Sequence, residues 1–174
     1  SSGFGGDNNQ LFTWYRFESL VHPPTIYIYD LNNHFSKIYY DSKANFEKDK
    51  YLLKQDFYIS KDGTKVPIFI AHDRDLVLDN LRPTLLYGYG GFNISIKPYF
   101  NKTIPIILEN GGVYASANIR GGGEYGQEWH EAGMLNNKQN VFDDFISAAE
   151  YLIKEGYTST ETLAIRGGSN GGTL

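Results

Sequence analysis

The spacing of hydrophobic positions changes twice along the chain. Over the first forty residues, short aromatic-rich stretches alternate with turn residues: Leu11–Phe17, Pro23-Pro24, Thr25–Leu31, Asn32-Asn33 and Lys37–Tyr40. Strands recurring at roughly ten-residue spacing predict a sheet of the sandwich or propeller kind. So small a sheet is not independently stable, which implies that it continues upstream.

The lysine-rich passage Asp41–Lys50 marks a domain boundary, and the pattern then becomes that of strands alternating with helices. Tyr51–Ser60 and Lys65–His72 read as strands joined through Asp62-Gly63, a strong hairpin signal. Pro83–Tyr89 holds the apolar run Leu85-Leu86-Tyr87 of a strand buried on both faces. A helix is expected over about Tyr99–Asn110, stopping at Gly111-Gly112, although Pro105 lies inside it. Val113–Ile119 is the next strand. The clearest helix covers about Val141–Glu155, with Val141, Phe142, Phe145, Ile146, Ala149, Leu152 and Ile153 on its apolar face. Asn140 is its expected N-cap, Asp143 and Asp144 suit the first-turn dipole, and Gly156 closes it. Leu163–Ile165 reads as a short buried strand. The order predicts an α/β domain with parallel strands and right-handed crossovers.

Composition narrows the function more than the fold. A net charge of −4 gives no reason to expect nucleic acid or an anionic membrane as partner. Without cysteine there is no disulfide framework, thiolate nucleophile or Cys-rich zinc site. No apolar run is long enough to span a bilayer, and no signal-peptide pattern opens the chain. The abrupt ends at Ser1 and Leu174 read as those of a fragment.

The chemistry centres on Gly167-Gly-Ser169-Asn-Gly171, a G-x-S-x-G pattern directly after the expected strand. A sharp strand-to-helix turn leaves no room for a Cβ at the outer positions and would expose the Ser169 hydroxyl at the top of a parallel sheet. A nucleophilic serine also needs oxyanion donors and a base. Tyr87-Gly-Tyr89-Gly-Gly-Phe92 follows a strand where α/β-hydrolases place one such donor, and the Tyr89 hydroxyl or the Asn170 amide can donate. Read alone, Tyr87 and Tyr89 are ordinary aromatic strand residues; beside the serine motif the oxyanion reading is preferred. His130, Asp143 and Asp144 precede Ser169, the wrong order for an α/β-hydrolase triad, so His130 reads as structural or substrate-proximal. His22, His34 and His72 read as surface or packing residues. The acid and base are expected beyond Leu174.

Competing motifs fail on their spacing. Gly121–Gly126 matches G-x-G-x-x-G, but the acidic residues that follow fall inside a helix rather than at a strand end. His130-Glu131 opens H-E-x-x-H, yet position 134 is methionine. The serine loop lacks a P-loop lysine. The sequons at Asn93 and Asn101 are taken as chance.

Four separated motifs in one order closely resemble the prolyl oligopeptidase (prolyl endopeptidase) family of serine peptidases: Tyr87–Ser95, Asn118–Gly126 with Trp129-His130, Asn137–Gln139 before Phe142–Asp144, and Gly167–Gly172. The resemblance implies a β-propeller whose last strands occupy residues 1–43, followed by the N-terminal part of an α/β-hydrolase domain over 44–174. It implies Ser169 as nucleophile, the Tyr89 hydroxyl and Asn170 N–H as oxyanion donors, and Phe92 in an apolar proline pocket. It further implies a cytoplasmic monomer that cuts short proline-containing peptides, without cofactor or metal. Two alternatives stand beside it: a basic-residue-specific oligopeptidase of the same architecture, and a non-catalytic α/β-hydrolase homologue acting as an interaction module.

Overall fold

Two sheets organise the chain in the computed structural model, which describes residues 2–174. The first is an antiparallel meander of β1 (Ser2–Gly5), β2 (Phe12–Ser19), β3 (His22–Asp30) and β4 (Phe35–Asp41), paired in sequence order. β1 went unpredicted because its glycines hide the strand pattern. Pro23 and Pro24 lie inside β3 rather than in a turn. They fit because the β2–β3 register shifts between Phe17 and Ser19, so neither proline must donate to the ladder. The turn at Asn32-Asn33 forms as expected, with the Asp30 carboxylate accepting from both backbone N–H groups.

A coil and a 3-10 turn at Lys48–Lys50 lead into the second sheet. Its strands are β5 (Tyr51–Ile59), β6 (Lys65–Asp73), β7 (Thr84–Tyr87), β8 (Val113–Ala117) and β9 (Leu163–Arg166), in the spatial order β5-β6-β8-β7-β9. The β5–β6 and β6–β8 pairs are antiparallel, whereas β8–β7 and β7–β9 are parallel. The expected hairpin and crossovers are therefore present, and the class is α/β.

Alternation puts Val66, Ile68 and Ile70 of β6, Leu86 of β7, and Val113, Ala115 and Ala117 of β8 into the main core. After a short helix α2 (Gln127–Glu131), helix α3 (Gln139–Lys154) covers them with Val141, Phe145, Ala148 and Leu152. The short α1 (Thr103–Glu109) covers part of the opposite face through Ile104 and Leu108. That second cluster also takes in Leu20 from the first sheet, and the stacked Phe46–Tyr51 pair adjoins it. Tyr114 lies under this face, and burial pushes its hydroxyl up to about 12.

Several expectations are corrected. Helix α1 starts at Thr103 rather than Tyr99 because the Asn101 carboxamide oxygen takes the Thr103 N–H. Pro105 then falls in the first turn, where no intrahelical donor is lost. Asn140 is not the N-cap of α3: it lies within the helix and donates to the Ala132 carbonyl. Ile146 is 53% exposed while Asp144 is fully buried, so the inward face is rotated from the one drawn through apolar residues alone. Gly156 does end the helix, at φ 88°, with Tyr157 N–H bonded back to Leu152. Only one face of β7 is fully buried. In β9, Leu163 is half-buried and the next three residues are exposed; among the described residues β9 pairs with β7 alone.

Candidate active site

The chain leaves β9 through Gly167-Gly168 and turns at Ser169, which holds φ 53° and opens a 3-10 turn ending at Thr173. A left-handed backbone at a residue with a Cβ costs on the order of 1 kcal/mol or more, so the surroundings must hold it. They do so by close contact: a Cβ on Gly167 would collide with the Gly171 carbonyl, and one on Gly171 would stand 2.5 Å from the Gly88 oxygen. Ser169 is exposed, as the motif requires.

Facing this turn is the loop that continues β7. Asn170 bridges the two, its Nδ2 donating to the Tyr89 carbonyl at 2.7 Å. Tyr89 is half-buried. Phe92 holds φ 55° and is 72% exposed. Phe92 and Asn170 line a cleft of about 450 Å³ whose walls also include Gly121, His130, Leu135 and Lys138. Of the four residues picked from the sequence, Ser169, Tyr89 and Asn170 are therefore brought together by direct bonding or adjacency, and Phe92 stands on the rim.

No histidine is bonded to Ser169 among the described residues. His22 contacts Lys48 and the Pro23 carbonyl, His34 contacts Tyr29, and the ring of buried His72 bonds the Asp73 carbonyl. His130 Nδ1–H donates to Gly121 O at 2.7 Å, which fixes its ring at the cleft wall. Glu124, from the glycine-rich loop, accepts from Ile96 N–H and the Asn118 amide and so holds loops together.

The fold described above agrees with what comparison finds. Residues 98–174 match the Prolyl oligopeptidase family. Over all of its 174 residues the chain is 49% identical to the prolyl endopeptidase of Elizabethkingia meningoseptica, covering 25% of that protein. The chain belongs to the prolyl oligopeptidase family. Among solved structures, a prolyl endopeptidase studied for inter-domain dynamics superposes with a TM-score of 0.90 at 48% identity, covering 98% of this chain and 25% of that one. The post-proline cleaving enzyme from Rickettsia typhi gives a TM-score of 0.86 at 38% identity, with 98% and 25% covered. The chain thus spans about a quarter of the length of these family members. Since the likeness runs through both sheets, the family architecture of a propeller joined to an α/β-hydrolase is the fold class here.

One residue of α3 was misread from the sequence. Asp144, taken for a helix-dipole residue, is fully buried and ion-paired with Arg120, itself 4% exposed. The guanidinium contacts Asp144 through Nη2 at 2.6 Å and Nε at 2.9 Å, and Asp62 through Nη1 at 2.5 Å. Ser60 Oγ donates to the same Asp144 carboxylate, and the buried Tyr58 hydroxyl donates to the Asp144 carbonyl. Burial alone would lower the pKa of the Arg120 guanidinium, but its hydrogen bonds to Asp144 and Asp62 outweigh that and hold the group firmly protonated. The Arg120 hydrogen bonds hold the Asp62 carboxyl well below the usual carboxylate range. Tyr58 is pushed far above its ordinary value, first by burial and then by Asp144. Helical spacing alone did not show it: Asp144 lies three residues after Val141, but the cation that a buried carboxylate requires is 24 positions earlier in the chain.

Proposed function

We propose that the protein to which this chain belongs is a serine endopeptidase that cleaves short peptides on the carboxyl side of proline by acyl transfer. The observation that carries the reading is Ser169, held at φ 53° directly after a parallel strand and tied through Asn170 to the loop bearing Tyr89. In this reading Ser169 Oγ attacks the carbonyl carbon of the scissile bond. The Asn170 backbone N–H and Tyr89 hydroxyl receive the charge that develops on its oxygen. Phe92 offers apolar surface to the proline ring, which has no N–H donor to satisfy. Residues 1–43 are assigned to the end of the propeller and residues 44–174 to the catalytic domain.

The proton from Ser169 goes to a histidine supplied by another part of the polypeptide. Two facts support this: the histidines described here are engaged elsewhere, and the chain covers a quarter of its relatives. The 174-residue chain alone is therefore assigned no turnover, because a triad without its base loses several orders of magnitude in rate. Short proline-containing peptides are the partners this reading assigns. Monomeric action in the cytoplasm rests on the family resemblance alone. The test is hydrolysis of short chromogenic peptides ending in proline or arginine by the full-length protein. Cleavage after proline supports the reading, and cleavage only after arginine overturns its specificity.

A further inference from the structure

We infer that Arg120 and Asp144 are positioning residues for the oxyanion side of the site, acting through Gly121 on the loop that carries Tyr89 and Phe92. The inference rests on the serine-peptidase reading above and extends it to a buried ion pair that takes no part in that chemistry. Arg120 is held by its backbone as well as its side chain, since its N–H donates to Asp144 Oδ2 at 2.9 Å. The next residue, Gly121, stands at φ 89° against the Gly90 carbonyl, where an added Cβ would lie 2.5 Å from that oxygen. The Gly121 carbonyl accepts from Asn93 N–H at 3.2 Å and from His130 Nδ1–H at 2.7 Å. A continuous set of contacts therefore runs from α3 through Arg120 and Gly121 to Gly90 and Asn93, the residues that bracket Phe92 and follow Tyr89.

The arrangement suits a fixed abutment better than simple core filling. Asp144 belongs to α3, Arg120 to the segment after β8, and Ser60 and Asp62 to the β5–β6 hairpin, so three elements meet at one guanidinium. A planar fork bound to two carboxylates fixes direction as well as distance, which lysine cannot reproduce. The Tyr89 hydroxyl must sit within a few tenths of an ångström of the developing oxyanion, so a shift of its supporting loop is read in the rate.

The experiment is a double-mutant cycle in the full-length protein, pairing Arg120→Lys with Tyr89→Phe and measuring kcat and KM on a proline peptide. Arg120→Lys is expected to lower kcat on the order of tenfold. In the Tyr89→Phe background the same change is expected to cost less than about twofold, because the group it positions is already gone. A loss of the full tenfold in both backgrounds overturns the inference, since a merely structural role is additive. Should Arg120→Lys fail to fold, Asp62→Asn, on the exposed side of the cluster, replaces it with a smaller expected loss and the same non-additivity; additivity there overturns the inference equally. Failure of the serine-peptidase reading shows separately, as activity that survives Ser169→Ala or as no cleavage by the unmodified protein.

Discussion

Asn170 Nδ2 donates to the carbonyl oxygen of Tyr89 at 2.7 Å, joining the residue after the serine to the loop that faces it. The bond links the segments that follow two parallel-paired strands, β9 and β7, beyond their paired residues. It ties the serine turn to that loop. Asn170→Ala keeps the backbone N–H and removes the link. It should lower kcat about three- to tenfold, the worth of one net hydrogen bond, in steady-state kinetics of the full-length protein. An unchanged kcat would show that the two loops hold their places without it.

Tyr89→Phe deletes a hydroxyl and leaves the ring. If that hydroxyl receives the oxyanion, kcat falls on the order of 10²-fold with KM little changed. A rise in KM at constant kcat would instead make Tyr89 a binding residue.

Gly121→Ala introduces a Cβ at φ 89° against the Gly90 carbonyl. Backbone strain of about 1–3 kcal/mol should appear as a lower denaturation midpoint. A midpoint within error of the unmodified protein would mean that the two loops yield freely, which also weakens the case for Arg120 as an abutment.

Acid should loosen the cluster through Asp62. Its folded pKa is depressed, so its contribution is present above the unfolded value of about 3.9 and is lost as pH falls through the lower folded value. The Asp62 side chain is 45% exposed, and solvent screening keeps the effect within about 1 kcal/mol. Asp62→Asn should therefore lower stability at neutral pH and flatten the decline of stability below about pH 4. A decline as steep as in the unmodified protein would assign acid sensitivity to other carboxylates, such as Asp56, whose pKa is also lowered, chiefly by its hydrogen bond from Lys54.

Much of this was legible in the residues, and the exceptions have local causes. The β5–β6 hairpin, β8, α3 and the serine turn follow from Asp62-Gly63, apolar alternation, helical spacing and G-x-S-x-G, all of which are local signals. What sequence spacing hid was whatever a distant partner decides. Asp144 is inward because Arg120, 24 positions earlier, neutralises it, and an apolar-face count gives a carboxylate no inward weight. Leu163–Ile165 read as buried from hydrophobicity, and among the described residues Ile165 is 57% exposed. Pro23-Pro24 read as a turn because a bulge cannot be seen without its partner strand. In the candidate site, Ser169 and Asn170 could be named from the motif, whereas Lys138 and Leu135 also line the cleft and no motif pointed to either as a cleft residue.

The central claim is tested most directly by Ser169→Ala in the full-length protein, assayed on matched short peptides ending in proline and arginine. Cleavage after proline that disappears in the variant, with the fold intact by circular dichroism, is the predicted result. Cleavage after proline that survives the substitution would contradict the account, because it would place the nucleophile elsewhere.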